Sequence, residues 1–221
     1  MNVEQALVAR HSARAFLSKN VDQSLIEKIL KFARFAPSGV NAQPWNVAVV
    51  SGNSKKVLDQ KLMAEFDHSG KGELTYQYYP TNWIEPFKSR RIACGKLMYE
   101  TLGIKREDKI GQIEQWKANY RAFDAPVVMY FFLDKNMQTG SFLDYGMFIQ
   151  SIMLMATQEG LATCPQAALA EYPEIIIQHL NKNNDTQLIC GLALGYEDCE
   201  HKVNQYRTDK IELEQFCEFF E

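Results

Sequence analysis

Phe142-Leu-Asp-Tyr-Gly-Met-Phe-Ile-Gln-Ser-Ile-Met-Leu-Met-Ala-Thr-Gln-Glu-Gly-Leu161 reads as one long helix. Its apolar side chains lie nearly all round the axis, the pattern of a helix buried on several sides. Asp144, Gln150 and Ser151 interrupt the portion from Phe142 to Ala156. That portion is too short and too polar to cross a bilayer, which takes ~20 apolar residues. A small domain rarely offers so much cover, so two accounts stand: a central helix within one core, or a helix shared with a second subunit.

On either side lie continuous apolar runs. Val127 to Leu133, behind Pro126, and Leu188 to Leu194 read as buried strands. Val47 to Ser51 reads as a third. Helices are expected over Asn2–Ala9, from Asp22 or Ser24 onward, and over Ser54–Phe66, Phe87–Leu102, Lys105–Ala122, Glu171–Asn181 and Ile211–Phe220. In the second of these, Ser24 and Glu27 have capping-box spacing. Leu25, Ile29, Ala33 and Ala36 share a face there, and Pro37 closes the helix. The segment from His68 to Trp83 has no regular pattern. Thr163 to Ala168 reads as a turn stiffened by Pro165. Helices and strands in this order build a sheet flanked by helices, α+β or α/β. With no repeat or linker, residues 1–221 form a single domain.

The composition excludes several classes of function. Of 221 residues, 46% are hydrophobic and 23% charged, too apolar for a disordered chain. Lys and Arg number 24 against 27 Asp and Glu, a net charge of −3, without the basic excess of a nucleic-acid binder. The five Cys contain no CxxC pair, so a disulfide scaffold and a zinc ribbon are both excluded, and free thiols suit a reducing, cytoplasmic compartment. Met1 to Arg14 lacks the apolar core of a signal peptide. Neither a membrane nor a nucleic acid is expected as a partner, and no metal site is expected.

Motifs for common catalytic machinery are also missing. There is no GxGxxG after a strand, no GxxxxGK[ST] and no GxSxG. The four His show no metal-ligand spacing. A chain without its own acid, base or nucleophile points to a bound cofactor as the seat of reactivity. Three segments offer places to hold one. Arg10-His11-Ser12-Ala13-Arg14 places two guanidiniums and a hydroxyl together, suited to an anion, although a solvated basic turn looks the same. Pro37 to Trp45 carries Ser38, Asn41 and Gln43 for a planar heterocycle, or is an ordinary loop. Thr163-Cys164-Pro165-Gln166-Ala167-Ala168 stiffens a backbone whose amides could face a ligand. Arg207 could add a further cation.

Taken together and in order, these segments resemble the nitroreductase family of flavoproteins. The resemblance rests on Arg10-His11-Ser12-x-Arg14 with Phe16, on Ala36 through Trp45, and on Gly195-Tyr196 with Val203-Asn204-x-Tyr206-Arg207. Asp144-Tyr145-Gly146-Met147-Phe148-Ile149-Gln150 and Thr163 through Ala167 look closest to the branch of nitrobenzoate-type reductases, as do Tyr79-Pro80, Trp83, Glu85-Pro86 and Arg90-Arg91.

The resemblance implies a three-layer α-β-α sandwich of the α+β class, with a central mixed sheet flanked by helices. It also implies an intertwined homodimer with FMN at the interface. Arg10, His11 and Ser12, with Arg207, are then expected to hold the phosphate and ribityl chain. Arg14 approaches the pyrimidine edge of the ring. Pro37, Ser38 and Asn41 come from the partner subunit, and Pro165, Gln166 and Ala167 line the ring, with the Ala167 amide near N5. Gln205 replaces a second phosphate-binding cation common in better-known relatives. The reaction implied is ping-pong hydride transfer from NADPH or NADH through flavin N5 to a nitroaromatic, quinone or enone, with no catalytic side chain. Gln43, Tyr79, Trp83, Trp116, Tyr120 and Phe123 are the expected substrate pocket. The alternatives are a flavin-binding redox sensor or store, or another reaction of the family such as reductive dehalogenation.

Overall fold

The computed structural model describes residues 1–221. It contains seven α-helices and four strands: α1 (Val3–Ala9), α2 (Gln23–Ala33), β1 (Asn46–Ser51), α3 (Gly52–Ser69), α4 (Phe87–Leu102), α5 (Lys109–Lys117), β2 (Val127–Asp134), α6 (Gly140–Gln158), β3 (Ala162–Gln166), α7 (Pro173–His179) and β4 (Thr186–Gly195). The strands form one sheet in the order β1-β2-β4-β3.

β2 is apolar throughout because both its faces are covered. Successive side chains on a strand point to opposite faces. Val127, Met129, Phe131 and Leu133 enter a core built with α2 and α6. Val128, Tyr130 and Phe132 enter a second core on the other face, with Leu58 and Leu62 of α3 and Ile176 of α7. The result is the expected three layers. A bulge in β4 adjusts the pattern: Phe131 pairs with Cys190 and Phe132 with Leu188, so Ile189 is the extra residue. Leu188 and Ala193 therefore share one core, and Ile189, Leu192 and Leu194 share the other.

The structure corrects several expectations. All named strands pair antiparallel rather than forming a mixed sheet, and parallel pairing is confined to one bridge, Ser12 to Thr163. Thr163 to Gln166 belong to a strand, β3. Pro165 is tolerated there because β3 is an edge strand. Asp22, not Ser24, precedes α2. No Ser24–Glu27 capping box forms, Glu27 instead accepting from Gln23 at 2.8 Å. That helix ends at Ala33, and Gly39–Asn41 form a 3₁₀ turn. Val49 is 41% exposed because β1 is the other edge. The helix expected from Lys105 begins at Lys109 and passes into a 3₁₀ segment, Ala118–Asp124, where Ala122 and Phe123 have left-handed backbones. The Ile211–Phe220 segment has only a 3₁₀ turn at Leu213–Gln215. A short helix needs an apolar face to pack on, and Phe216, Phe219 and Phe220 are all exposed in this protomer.

Candidate active site

The N-terminal strap reaches the site through backbone pairing. The amide of Ala13 donates to the carbonyl of Thr163 at 3.0 Å beside the Ser12–Thr163 bridge, and Phe16 pairs with Glu197 beyond β4. Buried Asn204 staples the other side. Its Oδ1 accepts from the Arg14 amide at 2.8 Å, and its Nδ2 donates to the carbonyls of Ala15 and Asp198. Two ends of the chain thereby set Arg14 against β3. The Arg14 guanidinium donates to the Tyr206 hydroxyl at 3.0 Å and to the Ser12 carbonyl at 3.3 Å.

Arg14, Tyr206 and Cys164 through Ala168 border a cleft of about 1670 Å³. Small-molecule pockets usually measure about 300–1,000 Å³, so there is room for a cofactor and a second ligand together. Tyr76, Tyr78 and Tyr79 border it from the segment before α4, and Trp116, Asn119 and Phe123 from the end of α5 and beyond. The tyrosine segment is positioned by the sheet. β3 pairs only with Gly191–Gly195, which leaves the first half of β4 without a neighbour on that side. The Tyr76 hydroxyl donates to the carbonyl of Ile189 at 2.6 Å, and Gln187 donates to Thr75. A loop thus covers the open edge.

Cys164, the buried thiol at the cleft, is not set up as a nucleophile. Burial pushes the Cys164 thiol up to about 11 despite Arg14, Arg10 and Ser12 nearby. Behind the wall, Tyr120 is fully buried and donates to Glu171 at 2.5 Å, and Trp116 donates to the Tyr120 hydroxyl at 3.3 Å. Lys71 lies 3.5 Å from Glu171 and 4.7 Å above the Trp116 ring. Burial raises the Glu171 carboxyl above its ordinary range.

The expected site residues divide into groups. Arg14, Pro165, Gln166, Ala167, Tyr79, Trp116 and Phe123 meet at the cleft. Tyr120 does not line it, because its hydroxyl is committed to Glu171 inside the wall. Trp83 stands one layer back, tilted against Tyr79 at 5.7 Å, with Arg91 over its ring. Arg10 and Ser12 flank Cys164 from the strap. Both His11 ring nitrogens are engaged, Nε2 with Glu197 at 2.8 Å and Nδ1 with the Ala9 carbonyl, so its ring anchors the strap. Arg207 uses Nη1 on the carbonyls of Asn204 and Tyr206.

Pro37, Ser38, Asn41 and Gln43 lie outside the cleft of their own protomer. Their loop is anchored on α6, with the Gly39 amide donating to Asp144 at 3.1 Å and the Gln43 amide to Ser38 at 2.9 Å. Val40, Asn41 and Gln43 all have positive φ, and Val40 is fully exposed. Such strain in non-glycine residues gathers at ligand sites. The Tyr206 and Asn204 roles were not read from sequence, although both residues lie in the quoted motif. Glu171 and Lys71 gave no local signal.

The residues fit a flavin mononucleotide. Gln166 donates through Nε2 to Asn119, yet its Oε1 is buried without a partner, as is Thr163 Oγ1. Buried polar atoms are normally paired, so unpartnered ones on the cleft-bordering strand call for a polar ligand. Ala167 opens a 3₁₀ turn, where leading N–H groups lack partners within the turn. Fixed cations, spare acceptors and spare amides around an aromatic slot suit a polar ring bearing a phosphate.

The sequence profile of the Nitroreductase family matches residues 7–196. The chain is 32% identical to a 4-nitrobenzoate reductase of Pseudomonas putida over 98% of its own length and 94% of that protein's. It superposes on the crystal structure of the FMN and NADPH-dependent nitroreductase NfnB from sphigopyxis sp. strain HMH with a TM-score of 0.97, at 35% identity and with both chains fully covered. The FMN-dependent nitroreductase NfnB from Mycobacterium smegmatis, solved with NADPH, superposes with a TM-score of 0.94 at 28% identity, over 99% of this chain and 97% of that one.

Proposed function

This chain belongs to the nitroreductase family, and from that premise we propose that it is an FMN-dependent NAD(P)H oxidoreductase that reduces nitroaromatic compounds. The observation that carries this reading is the meeting of Arg14, Pro165, Gln166 and Ala167 with an aromatic wall around one cleft. FMN, when bound, supplies a ring that accepts hydride and passes on electrons in pairs. Arg14, oriented by Tyr206, would set a positive charge beside a bound flavin ring and so favour its reduced form. Arg10, Ser12 and Arg207 would hold the phosphate, and His11 keeps the strap in place through Glu197. The Ala167 amide, which opens a 3₁₀ turn, would be free to donate to a bound flavin ring. Tyr79, Trp116 and Phe123, which border the cleft, would exclude water and offer aromatic surface to a donor or acceptor.

The active form is a homodimer in which Pro37, Ser38 and Asn41 complete the partner's site. Support comes from their absence from their own cleft and from the exposed apolar residues Leu143 and Met147 on α6. No helix is long and apolar enough to cross a membrane, and we place the enzyme in the cytoplasm on the strength of its free thiols.

An anaerobic spectrum tests the reading. Purified protein should show oxidised flavin bands that bleach on adding NADPH or NADH and return with nitrobenzene or 4-nitrobenzoate. Flavin bands that resist both donors would favour a sensor or store. A colourless protein that cannot be reconstituted with FMN would overturn the assignment.

A further inference from the structure

The cleft has the opposite charge sign to the chain around it. Seven Lys and Arg against four Glu border it, while the whole chain carries −3. Two of those acids are already matched, Glu100 by Lys96 and Glu171 by Lys71. Of the five bordering Lys and Arg left without an ion pair, three lie at the connection between α4 and α5, where they outnumber the one bordering carboxylate there, Glu107. Lys105, Arg106 and Lys109 are exposed, border the cleft and have no carboxylate within ion-pair distance.

This corner is held by its own hydrogen bonds. Gly103 takes the left-handed conformation and closes α4, with the Ile104 amide reaching back to the Tyr99 carbonyl at 2.9 Å. Asp108 caps α5 by accepting from the Gly111 amide at 2.8 Å. The Gln112 amide group then clamps the turn, Nε2 donating at 3.0 Å to the carbonyls of both Lys105 and Arg106. Backbone held this way presents its cations without the ordering cost of a floppy loop.

We propose that Lys105, Arg106 and Lys109 form an oxyanion-reading subsite at the mouth of the cleft. It binds an anionic group remote from the reacting end of a ligand, the 2′-phosphate of NADPH. The inference rests on the oxidoreductase reading above. A single exposed cation is worth little in water. A phosphate facing a guanidinium fork and two ammonium groups gains charge-assisted hydrogen bonds that a ribose hydroxyl does not. A carboxylate on the acceptor carries the same chemistry, so the test separates the two sources.

The experiment uses FMN-loaded enzyme, wild type and the double variant Lys105→Gln/Arg106→Gln. The kcat/KM of NADPH and of NADH is measured with neutral nitrobenzene, and NADH is then paired with 4-nitrobenzoate. The NADPH-to-NADH ratio should fall about tenfold in the variant, with the NADH and nitrobenzene reaction held within about twofold. A fall confined to the 4-nitrobenzoate-to-nitrobenzene ratio supports the subsite but assigns it to the acceptor's carboxylate. If both ratios stay unchanged, the subsite is refuted. Binding of NADP+ and NAD+ to oxidised enzyme, followed by flavin absorbance, supplies a readout without turnover. NADP+ should weaken in the double variant and recover in Lys105→Arg/Arg106→Lys, and equal NADP+ affinity in all three proteins refutes the assignment to the 2′-phosphate. Failure of both donors to bleach wild-type flavin would count against the oxidoreductase reading, while the binding ratio would still report on the subsite.

Discussion

Ser12 and Thr163 pair in the one parallel bridge of the fold, and the Ala13 amide beside them donates to the Thr163 carbonyl at 3.0 Å. This pairing brings the N-terminal cations to the strand that carries Pro165 and Gln166, and the predictions for the site depend on it.

Arg10→Ala should lose FMN on dialysis at low phosphate, with affinity reduced about tenfold or more, as expected for removing a charged phosphate partner. Flavin released into the filtrate gives the measurement. Full occupancy under these conditions would remove Arg10 from the phosphate site.

Arg14→Gln should keep FMN but lower its reduction potential and slow anaerobic bleaching by NADPH, by about tenfold or more for a lost charge at the reduced ring. Tyr206→Phe should give a smaller effect of the same sign, because it removes only the hydroxyl that orients Arg14. An unchanged potential in Arg14→Gln would place its guanidinium away from the ring.

Leu143 and Met147 lie one turn apart on α6, 74% and 40% exposed in the protomer. If the proposed dimer packs through this face, Leu143→Glu with Met147→Lys should give a protomer of 25.4 kDa and reduce FMN retention. Helix α6 itself should survive, since the new pair has a favourable i,i+4 spacing. Sedimentation velocity reads the mass, and a persistent dimer would mean the interface lies elsewhere.

Val40 holds φ at 47° with its side chain wholly in solvent. A β-branched residue in this region costs about 1–2 kcal/mol, and glycine does not pay it. Val40→Gly should therefore stabilise the protomer by about 1 kcal/mol after the added chain entropy of glycine, measured by urea unfolding in the monomeric double variant of α6. A loss of stability there would show that Val40 makes contacts beyond the strained turn.

Burial raises the Glu171 carboxyl. A group whose folded pKa lies above its unfolded value stabilises the fold below the unfolded value, near 4.5, and loses that contribution as pH rises through the folded value. Glu171→Gln should therefore gain thermal stability relative to wild type as pH increases from 4 upward. A difference in Tm that stays constant across this range would mean the carboxyl is not perturbed in solution.

Much of the architecture was legible because it rests on local periodicity. The unbroken apolar run of β2 announced a strand covered on both faces, and the apolar run of α6 announced a core helix, although the protomer leaves Leu143 and Met147 uncovered. α4 was found with its bounds intact because Gly103 punctuates it. Segments whose structure depends on distant partners were harder to read. β3 looked like a turn since its proline is acceptable only at a sheet edge, and the order of strands is not written in any one of them. The apolar tail from Ile211 looked helical, yet it has no face to pack on within the protomer.

The sequence by itself determined which residues could make a flavin site: guanidiniums on the strap, an amide-rich loop, and a proline-stiffened segment after the long helix. The tertiary structure alone decided their division of labour. It committed Tyr120 to Glu171 and His11 to Glu197, gave Arg14 to Tyr206, and left the loop around Asn41 outside its own cleft. Those outcomes are set by backbone pairing and packing between residues far apart in the chain. Such contacts leave no mark on the local spacing of apolar and polar side chains.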